Sequence, residues 1–151
     1  MMPSPGEMWL LDTNILIAFF DASSSHHELA KALFSSLESG TFNGAIAAQN
    51  ILELSSVLIG GYKATRASVA FHIQSLVSIK NISVIYPNTA TIILYITLLK
   101  QEKGIHTTDL FLAATMLSHN ISSIITNDRD FEKISTITIY NPFHPTSLSK
   151  K

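Results

Sequence analysis

Apolar positions along this chain switch between short β-rich runs and longer stretches with helical spacing, with no internal repeat, low-complexity segment or linker. Met8–Leu11 reads as a first strand, followed by a short helix from Thr13 to about Phe20. Ser25-His26-His27-Glu28 has capping-box spacing and predicts the start of a second helix, which Gly40 closes where a left-handed residue is needed. Gly44–Ala48 predicts a second strand; a helix from Asn50 to Ile59 then ends at Gly60-Gly61, and another runs from about Thr65 to Ser78. Ile82–Tyr86 predicts a third strand. Asn88 caps a helix that stops at Gly104, and Thr108 opens one that stops near Asn120. Ile121–Thr126 and Ile137–Tyr140 read as the last two strands.

Strands that alternate with helices imply right-handed crossovers and a central, mainly parallel sheet covered on both faces. The expected architecture is α/β, a three-layer α/β/α sandwich, and at 151 residues the whole of 1–151 is expected to form one domain. In such a sheet ligands bind where strands end and the following helices begin, so chemistry is sought along that edge.

Composition narrows what that chemistry is. The chain is 46% hydrophobic and 14% charged, against a usual charged share of about a quarter, which excludes disorder. Ten Lys and Arg against eleven Asp and Glu give a net charge of -1, so any nucleic-acid contact must be local rather than carried by a broad basic surface. The lack of cysteine excludes disulfides, thiolate zinc sites and cysteine nucleophiles, and fits a reducing cytoplasm. MMPSPGEM has no basic residue before an apolar run that Asp12 soon breaks, which reads poorly as a signal peptide. The longest uncharged stretch, Asn81–Leu99, is interrupted by Pro87, Asn88 and threonines, so no membrane span is expected.

Four acids fall on the expected edge. Asp12 ends the first strand in Leu11-Asp12-Thr13-Asn14, and Glu53 lies in the first turn of the helix after the second strand. Asp109 lies in the first turn of the helix leading to the fourth strand, in Thr107-Thr108-Asp109-Leu110-Phe111-Leu112-Ala113-Ala114. Asp128 follows that strand in Thr126-Asn127-Asp128-Arg129-Asp130-Phe131, with Asp130 as a further candidate. Singly, each has a structural alternative: Asp12 and Asp109 as helix-terminal acids, Glu53 as the partner of Asn50 in a capping box, Asp128 and Asp130 as turn residues.

Together they are harder to explain that way. Carboxylates about 6 Å apart repel by about 3 kcal/mol per pair at an effective dielectric of about 20, and the sum over four is of the order of a domain's net stability. Such a cluster must protonate in part or hold a cation. An all-oxygen set favours a hard ion, Mg²⁺ or Mn²⁺, which binds phosphates and supports phosphodiester hydrolysis. The ion also neutralises the acids, which answers the lack of a basic surface.

Asp12-Thr13-Asn14 after an apolar strand, a helix-borne Glu53, Asp109-Leu110-Phe111-Leu112-Ala113-Ala114 and Thr126-Asn127-Asp128-Arg129-Asp130-Phe131, in this order from about Met8 to Tyr140, resemble the successive signatures of PIN domains. Within that family the chain is most similar to the single-domain VapC-type toxins of prokaryotic toxin–antitoxin pairs. The resemblance implies a metal-dependent endoribonuclease that cuts single-stranded or looped RNA and is inhibited by a small antitoxin. Asp12, Glu53, Asp109 and Asp128 then match the acidic ligands, Asp130 is a secondary candidate, and Asn14 and Thr126 match positions that support the acids by hydrogen bonding.

His106 and Arg129 are expected near the same edge, with solvation as their simplest role, and His26-His27, His72, His119 and His144 show no metal-ligand pattern. Trp9 and the phenylalanines suit a core better than a base-stacking platform. Apolar helical stretches at Ser55–Ile59 and Ile92–Ile96 exceed what one small core hides, so a homodimer and a docked partner helix are expected. Three alternatives stand beside this reading. A phospho-accepting receiver domain needs a lysine near the last strand, where Ile137–Pro142 has none. A PIN-type RNA-processing nuclease outside a toxin–antitoxin pair and a noncatalytic binding scaffold share the fold, and a metal-dependence assay on RNA separates the scaffold from a nuclease.

Overall fold

A computed structural model describes residues 2–144. Five strands, β1 (Met8–Leu11), β2 (Asn43–Ala47), β3 (Ile82–Ile85), β4 (Ser123–Ile125) and β5 (Thr138–Tyr140), form one sheet in the order β3-β2-β1-β4-β5, and every adjacent pair is parallel. The helices are α1 (Thr13–Phe20), α2 (His27–Glu38), α3 (Ala48–Gly60), α4 (Arg66–Val77), α5 (Thr89–Gln101) and α6 (Thr107–Ser118), with a short 3₁₀ helix at Arg129–Lys133.

Side chains alternate across the sheet and so divide the core into two layers. Trp9 and Leu11 of β1, Ile46 of β2 and Ile125 of β4 pack with α1 to α4, through residues such as Ile15, Leu37, Leu54 and Leu76. Leu10, Ala45, Ala47 and Ile124 face the other way, onto Leu98 of α5 and Leu110, Ala113 and Met116 of α6. Both faces are thus covered, as a parallel sheet requires. The stretch Asn81–Leu99 divides at Pro87 into β3 and α5, and no helix of the described residues is long and apolar enough to cross a membrane.

Helix ends follow local chemistry. Asn88 Oδ1 accepts from Thr91 N at 3.0 Å while Thr91 Oγ1 accepts from Asn88 N at 2.9 Å, a reciprocal cap for α5. Gly40, with φ +82°, turns the chain after α2 as expected, and Asn120 takes φ +58° after α6. The capping box expected at Ser25 does not form. Asp21 folds the preceding segment into turns by accepting from Ser23 N and Oγ, so α2 begins only at His27, with His26 as an N-cap that makes no side-chain cap bond. Glu28 pairs with Lys31 instead.

The strand order matters most for function. From β1 the chain moves outward to β2 and β3, then crosses to the other side of β1 for β4 and β5. The reversal falls between β1 and β4, and the two connections leaving there splay apart to open a crevice at the carboxyl ends of the strands.

Candidate active site

Asp12 and Thr126 are the first residues beyond β1 and β4, which places them side by side at the crevice. Asp12 Oδ1 accepts from Thr13 N at 2.7 Å and thereby caps α1, while Oδ2 accepts from Thr126 Oγ1 at 2.7 Å and Asn14 Nδ2 at 3.1 Å. Capping and membership of the acidic cluster are therefore the same geometry. The second N–H of Asn14 reaches Thr126 Oγ1, and its Oδ1 accepts from Asn127 N, both at 3.1 Å. Thr126 Oγ1 also accepts from Asp128 N at 2.9 Å, so one hydroxyl ties Asp12, Asn14 and Asp128 together.

Glu53 stands in the second turn of α3 rather than the first, because the helix starts at Ala48. Asn50, fully buried, spends its Oδ1 on Ala47 N at 3.1 Å and its Nδ2 on Thr13 Oγ1 at 3.1 Å, so it caps α3 itself and leaves Glu53 for the crevice. Glu53 is held at both oxygens: Thr13 Oγ1 donates to Oε2 at 2.7 Å and Gln49 Nε2 to Oε1 at 3.0 Å. Gln49 also donates to the Thr108 carbonyl at 2.9 Å, joining α3 to the first turn of α6, which carries Asp109. Both acceptors fix the amide's orientation and leave Gln49 Oε1 buried without a partner.

Asp109, Asp128 and Asp130 each bring one carboxylate oxygen within 4.8 Å of the other two. His106, not Asp109, is the N-cap of α6. Asp128 Oδ1 accepts from Asp130 N at 2.9 Å at the start of the 3₁₀ helix, and Asp130 also pairs with Lys133 at 2.7 Å. Asp130, a secondary candidate from sequence, thus stands among the tightest group of acids. Asp12 and Glu53 border that group. Burial, and then the charges of Glu53 and Asp109, raise the Asp12 carboxyl to about 6 against the hydrogen bonds that stabilise its charge. Burial also raises Asp109, reinforced by Asp128, Glu53 and Asp130 and opposed by His106.

Among the described residues no lysine or arginine pairs with Asp12, Glu53, Asp109 or Asp128. Five carboxylates with almost no compensating charge fit a hard divalent cation, and they offer only the oxygen donors such an ion takes. The other flagged residues have structural partners. Arg129 faces Glu132 at 3.6 Å, His27 Nδ1 contacts the Ala18 carbonyl, His119 Nε2 contacts the Tyr86 carbonyl, and His26 stacks on Phe143. Gln49, Thr13 and Asn50 were not singled out as site residues from sequence. For Gln49 one signal was present, its helical i, i+4 spacing to Glu53.

Solved structures share this arrangement of elements. VapBC2 from Rickettsia felis, bound to a DNA fragment from its promoter, matches with a TM-score of 0.68 and 18% identity over 89% of this chain and 98% of that one. VapC20 of Mycobacterium tuberculosis, a toxin that cleaves the sarcin–ricin loop, matches with a TM-score of 0.67 and 16% identity over 85% and 95%. VapBC-1 from nontypeable Haemophilus influenzae gives 0.64 and 23% over 89% and 98%. At these identities the likeness is one of fold. No curated protein matches by sequence. The PIN domain family model matches residues 9–137, a span that carries all five acids, β2 to β4 and all but the first residue of β1, and with that match the chain belongs to the PIN domain family.

Proposed function

We propose that this protein is a Mg²⁺- or Mn²⁺-dependent endoribonuclease of the VapC toxin kind, hydrolysing RNA phosphodiester bonds under the restraint of an antitoxin protein. The observation that carries the reading is the acidic edge itself: carboxylates from four separate segments gathered at the strand-order reversal, with Asp12 buried to 8% exposure and no basic partner. Asp12, Glu53, Asp109 and Asp128 hold the ion, with Asp130 beside them. When bound, the ion supplies positive charge to the scissile phosphate and acidifies the attacking water. The chain's own contribution is preorganisation: Asn14 and Thr126 fix Asp12, and Thr13 and Gln49 fix Glu53, so the donors stand in place before the substrate arrives.

The sarcin–ricin-loop-cleaving toxin among the structural neighbours supports RNA as substrate, and the VapBC complexes support an antitoxin partner. Self-pairing is supported by Ile92, Ile93, Ile96 and Leu99, which line the outside of α5 and are exposed. The protein works in the cytoplasm, where its RNA substrate and the antitoxin are.

Purified protein incubated with RNA is expected to cut only with Mg²⁺ or Mn²⁺, to stop on addition of EDTA, and to lose most activity as Asp12→Asn or Asp109→Asn. Full cleavage in metal-free buffer or by either variant overturns the reading. Expressed alone in a bacterial host, the wild type is expected to slow growth and Asp12→Asn is not; harmless expression of an active enzyme removes the toxin assignment and leaves the nuclease.

A further inference from the structure

A cavity of about 620 Å³ lies beside the acids, between the start of α3, the segment after β3, α5 and the start of α6. Its walls are Leu52, Pro87, Tyr95 and Phe111, and Gln49 and Glu53 line it as well. Glu53 belongs both to this cavity and to the acidic edge. By strand order the cavity sits over the ends of β2 and β3, while the acids sit over β1 and β4. A second cavity, of about 370 Å³, continues past the acids toward the end of β5, lined by Asn127, Arg129 and Asn141 among others. An RNA strand laid along the carboxyl edge of the sheet therefore meets an apolar recess, then the acids, then a second recess of mixed polarity.

We propose that the apolar recess receives one unpaired nucleobase of the RNA whose scissile phosphate lies at the acids, which rests on the ribonuclease reading above. The recess has no lysine or arginine, so a phosphate gains nothing there. Gln49, its polar amide, has already committed both N–H groups to Glu53 and the Thr108 carbonyl, so it offers no donor to a ribose or a peptide backbone. The rest of the lining is mostly apolar, Leu52, Pro87 and the rings of Tyr95 and Phe111, which meet edge to face with centroids 5.2 Å apart, with Thr107 and Thr108 beside them. Of the parts of an RNA strand, only the base presents an uncharged face that such walls hold. Base–aromatic packing tolerates any sequence, because every base has such a face, but it demands that the base leave its stack. The recess thus selects single-stranded or looped RNA over duplex. On the opposite flank Arg129 faces Glu132 at 3.6 Å and Asn141 donates to Asn127, so that flank is less suited to a phosphate.

The test is a set of single-stranded oligoribonucleotides of one sequence, each with one abasic ribose at a different position, cleaved with Mn²⁺ by the wild type and by Leu52→Ser. Leu52 is 70% exposed, so the substitution leaves the core intact, and an unchanged melting temperature and Mn²⁺ response confirm that. In the wild type, one abasic position within two nucleotides of the cut is expected to raise KM about tenfold. Leu52→Ser is expected to raise KM for intact RNA and to show no further rise at that abasic position. A flat abasic scan, or independent effects of the base and of Leu52, overturns the proposal while leaving the nuclease standing. A Leu52→Ser protein with wild-type KM that has lost a dimer formed by the wild type assigns the recess to a second copy and overturns it too. If the wild type cuts no RNA with Mn²⁺, the ribonuclease reading and this recess fall together.

Discussion

The Thr126 hydroxyl donates to Asp12 Oδ2 at 2.7 Å across 114 residues of chain, and the same oxygen accepts from Asn14 Nδ2 and Asp128 N. All of its hydrogen-bonding capacity is used, and it is fully buried. Thr126→Val is therefore expected to lower stability by about 1–3 kcal/mol, because a buried carboxylate and two donors each lose a partner. Thr126→Ser keeps the hydroxyl and is expected to retain most of that stability and of the activity. Urea unfolding of the two variants decides; equal losses would show that the methyl packing, not the hydroxyl, matters.

In metal-free buffer, stability is expected to fall as pH rises from about 4 to about 7. The sign follows from Asp12, whose carboxyl is raised by burial from an ordinary 3.8 to about 6 in the fold. Between those values the native chain binds more protons than the unfolded one, so stability is full below the lower value and is lost as pH passes the upper one. The full shift corresponds to about 3 kcal/mol, and Asp109, raised in the same direction, adds to it. Surface acids such as Glu7 and Asp21 are shifted downward by hydrogen bonds and work the other way, so the wild type must be compared with Asp12→Asn. The variant is expected to show the flatter profile. Its gain at neutral pH falls short of the full amount, because an amide has one acceptor oxygen and cannot accept both from Thr13 N on one side and from Thr126 and Asn14 on the other.

Millimolar Mg²⁺ or Mn²⁺ is expected to reverse that loss. An ion at about 100 times its Kd stabilises the fold by about 2.7 kcal/mol, or roughly 5–10 °C in Tm for a chain of this size. The shift is expected to be larger at pH 7.5 than at pH 5, where Asp12 is largely protonated. Thermal scans at both values with wild type and Asp109→Asn check this, and the absence of any shift would return the acids to structural roles.

Gln49→Leu is expected to weaken Mn²⁺ binding about tenfold with little effect on stability. Two hydrogen bonds are lost, but so is a buried acceptor without a partner, and these oppose each other. Titration calorimetry gives the affinity and urea unfolding the stability. A large loss of stability with unchanged affinity would make Gln49 a packing residue.

The strands and helices were readable because apolar spacing reports burial directly, and the acids because each lies shortly after a strand or within the first two turns of a helix. Local capping was less readable. Ser25 and Glu28 have the right spacing for a box that does not form, since Asp21 has already bent the chain ahead of it. Asn50 and Glu53 have similar spacing, yet Asn50 caps backward onto Ala47 and joins Thr13 across the crevice. Hydrogen bonds of this kind, spanning 37 to 114 positions, leave no periodic trace in a sequence. The place of Asp130 depended on the 3₁₀ helix, a turn too short to announce itself by pattern.

The reversal of strand order also sets when the protein acquires its chemistry. β1 leaves a ribosome well before its neighbour β4, which, with Thr126 and Asp128 just beyond it, follows more than a hundred residues later. Chains are made at about 5–20 residues per second, so for about 5–20 s an emerging Asp12 has β2 at most beside its strand and no β4. A translating cell meets the complete acidic edge only after β4 and the residues just beyond it have been made. Fragments broken off earlier, or polypeptides released prematurely, carry the first two acids without the last.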